Sequence, residues 1–148
     1  MTEIVLSQAE ADALIALEKH RVDEQTWAYP ESGGKVEIPL VSADKREHFL
    51  LDISRGRIDL AKTTYQNRAR RDIPLVRLDI AGPPHTNPDG ETLLCPHLHL
   101  YREGYEDKWA FPPPADSFAA PLDIVRALND FMQYCNISKP PNISRGLF

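Results

Sequence analysis

Hydrophobic and polar residues alternate in two stretches in the middle of the chain, at 74–82 and 95–104. Because successive side chains of a β-strand point to opposite faces, this alternation predicts two strands that each have one apolar face. The polar positions of the two predicted strands are Arg77, Asp79, His97, His99 and Tyr101. If the strands are neighbours joined by the loop 82–95, these side chains share one surface, with His85 on the loop above it and Lys108 at its border.

The rest of the pattern predicts two helices and several further strands. Ser7 and Glu10 form a capping-box sequence before residues of helical periodicity, which predicts a helix over 8–20. Apolar residues at helical spacing predict a second helix over 121–135. Further strands are predicted at 35–41, 47–54, 57–68 and 108–112.

These elements together predict one domain, residues 1–148, of the α+β class. We expect an N-terminal helix, a sheet of about five mostly antiparallel strands, and a C-terminal helix packed on the same face of the sheet. Residues 136–148 show no clear periodicity, and we expect a loosely ordered tail there.

Composition places the chain among globular proteins, with 42% hydrophobic and 26% charged residues. It contains no apolar run of the ~20 residues that a helix needs to span a bilayer, and its acidic N-terminus does not resemble a secretory signal. Its two cysteines, Cys95 and Cys135, are too few for a disulfide framework. These observations predict a cytoplasmic protein with no membrane partner.

Charge is unevenly distributed, although the net charge is −5. The segment 55–77 holds seven basic and two acidic residues, so an anionic partner would be drawn to one side of the molecule. The alternative is a solvated surface of strands and turns. On the first interpretation the candidate substrate-binding residues are Asp79, Lys108, Arg68, Arg70 and Arg71.

The histidines indicate acid/base chemistry, because the imidazole pKa lies nearest to neutral pH. His97 and His99 would act as general base and general acid, with His85 beside them. Arg77 or Lys108 would stabilise charge that develops on a phosphate, and Tyr101 would position the substrate or donate a proton. Such a site suits RNA, whose 2′-hydroxyl supplies a nucleophile, and it requires neither a metal nor another cofactor.

Two other interpretations remain open. In the first, His97 and His99 bind zinc together with His85, Cys95 or Asp79, although no zinc-site sequence motif is present. In the second, the face is an ordinary half-exposed strand surface and Cys95 is a buried thiol. The concentration of three of the five histidines within fifteen residues favours a functional cluster.

Residues 76–111 resemble the centre of a family of small proteins from bacteria and their phages that has no assigned function. The order Arg77, Asp79, Pro84-His85, Pro96-His97, His99 is also similar to the R-x-D…PH…PH-x-H run of TumE-type proteins, the toxin components of bacterial toxin–antitoxin pairs. This likeness covers about a quarter of the chain. TumE-type proteins often have adjacent histidines where this chain has Leu98 between His97 and His99.

Two functional hypotheses follow. The first is a small cytoplasmic ribonuclease, a toxin or phage-defence element, with RNA as substrate and an antitoxin as partner. The second is a non-enzymatic phage or mobile-element protein that binds a host protein through the face carrying the histidines, Arg77 and Tyr101. The sequence does not indicate an oligomeric state.

Overall fold

The computed structural model describes residues 5–58 and 62–144, which form mainly β-sheet. In chain order the elements are α1 (Gln8–Ala16), β1 (Lys19–Arg21), β2 (Thr26–Ala28), β3 (Lys35–Ser42), β4 (His48–Arg55), β5 (Thr63–Ala69), β6 (Ile73–Asp79), β7 (His85–Thr86), β8 (Thr92–Leu93), β9 (His97–Arg102), β10 (Glu106–Phe111), α2 (Ile124–Tyr134), β11 (Ile137–Lys139) and β12 (Asn142–Ser144).

Eight strands form the main sheet, in the order β10-β9-β6-β5-β4-β3-β1-β11. Neighbouring strands are antiparallel except β1 and β11, which are parallel. Two small sheets, β2 with β12 and β7 with β8, complete the fold. Within the described residues, no helix is long and apolar enough to cross a bilayer.

The prediction of an α+β fold with about five strands is wrong, because the chain is dominated by an eight-stranded sheet. The strands that the sequence pattern missed are short. The outer strands β1 and β11 have three residues each, and β7 and β8 have two. Strands of this length show no recognisable alternation. β1 and β11 form by backbone pairing between distant segments, and β7 and β8 pair with each other across a short loop.

The segment expected to be a loose tail contributes two of these short strands. Residues 137–139 pair with β1 and residues 142–144 pair with β2. The end of the expected tail, 145–148, lies outside the described residues. Chain segments separated by more than one hundred residues therefore pair, β11 at the edge of the main sheet and β12 in the small sheet with β2.

The helices cover the apolar face of the sheet. The Tyr65 ring of β5 contacts the Phe131 ring of α2 at 6.1 Å between centroids, and the Tyr65 hydroxyl donates to the carbonyl oxygen of Ile124 at 2.7 Å. Ala11 and Leu14 of α1 belong to the same hydrophobic core. The opposite face of the central strands carries polar side chains.

Helix α1 begins as the sequence predicts. The Ser7 hydroxyl accepts from the Glu10 amide at 3.1 Å, and the Glu10 carboxylate accepts from the Ser7 amide at 3.2 Å, which confirms the capping box. The helix ends at Ala16, earlier than predicted, because Leu17 adopts an extended conformation and leads into β1.

A buried lysine joins the ends of both helices to the sheet. Lys19, in β1, is 0% exposed, and its ammonium donates to the carbonyl oxygens of Ile15 at 2.8 Å, Leu17 at 3.0 Å and Cys135 at 2.6 Å. The last carbonyls of a helix have no partner inside the helix, and here one cation satisfies carbonyls at the ends of α1 and α2. Burial lowers the pKa of Lys19 to about 8.

We expect Lys19→Met to destabilise the protein by about 2 kcal/mol or more, because it leaves buried carbonyl oxygens without a donor. Methionine retains most of the apolar stem, so lost packing contributes little. Chemical denaturation measures the change. The control is Lys35→Met on the exposed end of β3, which should change stability by less than about 0.5 kcal/mol.

Wild type and Lys19→Met together also test the lowered pKa of Lys19. Between pH about 8 and about 10.4, the value for an unfolded lysine, the unfolded chain holds more protons at this site than the folded chain. The contribution of Lys19 to stability therefore rises with pH in that range. Burial also raises the pKa of Cys135 to about 12, which acts in the opposite direction. The stability gap between wild type and Lys19→Met isolates the lysine and should widen with pH; a constant gap would contradict this interpretation.

Candidate functional site

The two strands with alternating polar residues are neighbours. In the β6–β9 pair, Arg77 lies opposite His99 and Asp79 lies opposite His97. The alternation of side chains along each strand then places all four on one face of the sheet, and Leu78 and Leu98 on the other. The predicted pairing and the shared face are confirmed.

The small β7–β8 sheet places His85 over this face. The His85 Nε2–H donates to the carbonyl oxygen of Lys108 in β10 at 2.7 Å. Two residues further on, the Asn87 side-chain amide exchanges two hydrogen bonds with the backbone of Ala110, at 2.9 and 2.8 Å. Backbone groups of the edge strand β10 thus bind side chains of the β7 segment, and this contact fixes the position of His85.

His85, His97 and His99 form a compact group, called the histidine cluster below. The centroid distances are 4.5 Å for His85 and His99, 4.9 Å for His97 and His99, and 5.8 Å for His85 and His97. His97 and His99 are only 2% and 1% exposed, whereas His85 is partly exposed. Of the three rings, His85 is therefore the most accessible from solvent.

The Asp79 carboxylate connects the two buried imidazoles. One of its oxygens lies 3.1 Å from His97 Nε2 and 3.2 Å from His99 Nε2, and the other accepts from the Thr64 hydroxyl at 3.1 Å. Burial alone would raise the pKa of Asp79, but the hydrogen bond from His99 and the positive charge of Arg77 outweigh it and hold this pKa well below its usual range. Asp79 is therefore an anion at neutral pH.

Backbone contacts indicate the proton positions on His99. Its Nδ1–H donates to the carbonyl oxygen of Asp107 at 2.8 Å, so in the neutral ring Nε2 is the acceptor. Arg77 Nη2 lies 3.0 Å from that nitrogen and donates to it when the ring is neutral, whereas a protonated Nε2 donates to Asp79. Burial lowers the pKa of His97 more than the nearby Asp79 raises it, which favours a neutral His97 ring.

The same atoms include a possible metal-ligand set. One ligand atom from each of Asp79, His97 and His99 lies within 4.8 Å of the other two, and this donor set suits zinc. Arg77 opposes a cation at this position, because its guanidinium already donates to His99 and lies 3.3 Å from Asp79. A divalent cation would have to displace Arg77.

The other candidate residues lie around this centre. The Tyr101 hydroxyl donates to the carbonyl oxygen of Leu6 at 2.8 Å, so it ties the N-terminal segment to the sheet. Lys108 is exposed, and its backbone carbonyl holds His85. Arg68 pairs with Asp52 at 2.6 Å and with Glu37 at 3.2 Å, Arg70 pairs with Glu47 at 2.9 Å, and Arg71 is exposed on the turn after β5.

Two residues of the site were not found from the sequence. The Asp107 carboxylate accepts from Arg77 Nη1 at 2.8 Å, and Asn87 anchors the segment that carries His85. An irregular register between residues 106 and 109 brings Asp107 next to Arg77, and no local pattern reveals such an irregularity. Asn87 stands in a loop rich in turn residues, where an asparagine is expected for local reasons.

A family model described as "Family of unknown function (DUF6978)" matches residues 6–137, and the chain belongs to this family. The match includes both helices and the whole histidine cluster. No curated protein and no solved structure matches the chain. The expectation of a family without an assigned function is confirmed, and the likeness to TumE-type proteins stays a prediction.

We expect the purified protein to hold no stoichiometric zinc and Arg77→Met to bind zinc more tightly than wild type. The substitution removes a positive charge and frees the acceptor nitrogen of His99. Competition with a chromophoric chelator measures the affinity, and elemental analysis measures the content. One zinc per wild-type chain that is lost in His99→Ala would contradict the expectation.

We expect Asp79→Asn to destabilise the protein at pH 7 and to have less effect in acid. The folded-state pKa of Asp79 is depressed, so its contribution is present above the unfolded value of about 3.9 and is lost as the pH falls toward the folded value. Denaturation at pH 7 and pH 3 measures both effects. The control is Asp116→Asn in the exposed loop before α2, which should be neutral at both pH values; equal destabilisation by Asp79→Asn at both would refute the charge-based explanation.

Proposed function

We propose that the histidine cluster, Arg77 and Asp79 form the active site of a small ribonuclease that cleaves RNA by metal-independent acid/base catalysis. The observation that carries the proposal is that the imidazole rings of the histidine cluster lie next to each other, beside the guanidinium of Arg77 and the ionised carboxylate of Asp79. Imidazoles supply a base and an acid near neutral pH, and a guanidinium binds a phosphate.

RNA supplies the nucleophile for this reaction. A base takes the proton of the 2′-hydroxyl, and the 2′-oxygen attacks the adjacent phosphorus. A bond forms between the 2′-oxygen and phosphorus, the bond between phosphorus and the 5′-oxygen breaks, and an acid gives a proton to the leaving 5′-oxygen. The products are a 2′,3′-cyclic phosphate and a 5′-hydroxyl end, so the step needs no cofactor.

We assign a role in the reaction to each of the three histidine rings from its exposure and its hydrogen bonds. His85 is the partly exposed ring, and its Nε2–H is used by Lys108, so Nδ1 is the nitrogen that accepts the 2′-hydroxyl proton. His99 protonated on Nε2 is the general acid, and Asp79 compensates its charge at 3.2 Å. His97 contacts the same carboxylate oxygen and acts as a positioning residue.

In this proposal Arg77 binds the scissile phosphate. Its side chain is 27% exposed, and its guanidinium lies 3.0 Å from the acid nitrogen of His99. When the guanidinium turns to the phosphate, it leaves His99 Nε2 free to carry the proton. Charge that develops on the phosphate is thereby stabilised next to the general acid.

The burial of the histidines supports this proposal over the binding-protein hypothesis. A protein interface is made by side chains that are exposed before the partner arrives, whereas His97 and His99 are 2% and 1% exposed. A buried, hydrogen-bonded network with an accessible outer edge suits proton transfer better. The toxin or phage-defence role, an antitoxin partner and a cytoplasmic location belong to the same proposal.

We expect His85→Ala and His99→Ala each to reduce RNA cleavage by about 10²–10⁴-fold, the usual contribution of a positioned acid or base. The assay uses labelled RNA with a chelator present and detects cyclic-phosphate ends. A thermal melt accompanies each variant because His99 is buried.

The matched control is Leu98→Ala, which lies between the two histidines on the apolar face. It should cost about 2–5 kcal/mol of stability but should retain cleavage at temperatures where it remains folded. Growth during inducible expression, with wild type beside His85→Ala, tests toxicity. Wild-type protein that leaves single-stranded and structured RNA intact, and that harms no cell, would overturn the enzymatic proposal.

A further inference from the structure

A cavity of about 560 Å³ continues the polar face of the sheet beyond the histidine cluster. Its wall includes Tyr101, two residues past His99 on the same side of β9, and Lys108, whose carbonyl holds His85. On the opposite side the wall is formed by the turn between β5 and β6. The volume lies within the range of ordinary small-molecule sites, about 300–1,000 Å³.

The turn at the rim of this cavity has an unusual sequence for its backbone. Arg70 and Arg71 have φ values of 51° and 72°, in the left-handed region that favours glycine and asparagine. Glu106, which also lines the cavity, has a φ of 54°. Arg70 pairs with Glu47 at 2.9 Å and Arg71 is exposed, so this turn places two basic side chains at the rim of the cavity.

The aromatic ring of Tyr105 lines the same cavity. Tyr105 is 41% exposed, and its ring packs edge-on against Trp109 at 5.8 Å between centroids. Trp109 in turn lies under the guanidinium of Arg102 at 4.6 Å. Tyr105 is therefore a supported ring with an accessible surface, which is the arrangement on which nucleic-acid bases stack.

The charges of the lining are mixed. Arg70 and Lys108 are basic, and Asp72 and Glu106 are acidic. Basic groups bind a phosphate, whereas carboxylates accept hydrogen bonds from the N–H groups of a base. A lining that offers both, together with an aromatic ring, matches a nucleotide better than a simple polyanion.

We infer that this cavity binds one nucleotide of the RNA next to the cleaved bond, with its base against Tyr105 and its phosphate toward the Arg70–Arg71 turn. The inference rests on the ribonuclease proposal for the position of the cleaved bond. It assigns a role to Arg70, Arg71 and Tyr105 that is separate from proton transfer.

The test is the double variant Arg70→Asn/Arg71→Gly. Asparagine and glycine adopt the left-handed conformation readily, which offsets the loss of the Arg70–Glu47 ion pair, so the melting temperature should stay close to that of wild type. KM for RNA should increase about tenfold through loss of the subsite. Tyr105→Ala should raise KM similarly. The matched control is Lys45→Gly, which relieves a φ of 64° in the exposed turn between β3 and β4; it should raise the melting temperature and leave KM unchanged.

Binding of an uncleavable 2′-O-methyl oligonucleotide, followed by fluorescence anisotropy, separates this inference from the ribonuclease proposal. If wild type cleaves no RNA but the double variant binds the oligonucleotide about tenfold more weakly than Lys45→Gly, the subsite stands and the catalytic proposal fails. If RNA is cleaved and the double variant keeps both KM and affinity, the subsite inference is overturned. An abasic oligonucleotide that binds wild type as tightly as the intact one would also overturn it, because the base would then contribute nothing.

Discussion

The hydrogen bonds of the buried Lys19 ammonium are the interaction on which the arrangement of this fold depends. Three carbonyl oxygens from the ends of α1 and α2 converge on one cation that stands in a strand of the main sheet. Because a helix end that is buried without partners is costly, this donor stabilises the docking of both helices on the sheet. The contact also brings the segment after α2 next to β1, where β11 pairs in parallel. The Lys19 side chain therefore links the position of both helices to the addition of β11 at the edge of the sheet.

The candidate active site depends on a different constraint, the need of the edge strand β10 for hydrogen-bond partners. The β7 segment supplies them through His85 and Asn87, and in doing so it covers the buried rings of His97 and His99. The covering lowers the local dielectric, which strengthens the interaction of Asp79 with both imidazoles. The strand surface thereby becomes a buried network in which His85 is the most accessible ring and Arg77 is partly exposed.

The parts of this structure that are predictable from the sequence are those with a local period. The alternation over 74–82 and 95–104 predicted that β6 and β9 share a polar face, which the structure confirms, but it did not predict that Arg77 lies opposite His99. Most of the missed parts depend on contacts between distant segments, whereas β7 and β8 form a short local pair. Strands of two or three residues are too short to show a hydrophobic period. Asp107 contacts Arg77 because the register between β9 and β10 is irregular. His99 is buried because the segment that carries His85 folds back over it. The pattern identified the residue types of the site, but it did not reveal which ring is accessible.

The side chains that bind the edge of β10 also make that edge unavailable to another chain. An exposed edge is the usual place where a foreign strand extends a sheet. Here the carbonyl oxygen of Lys108 and both polar backbone groups of Ala110 are already used by His85 and Asn87. A strand that paired with these groups would have to displace both side chains, and His85 would leave the histidine cluster with them. Association at this edge and an intact cluster are therefore mutually exclusive states of the molecule.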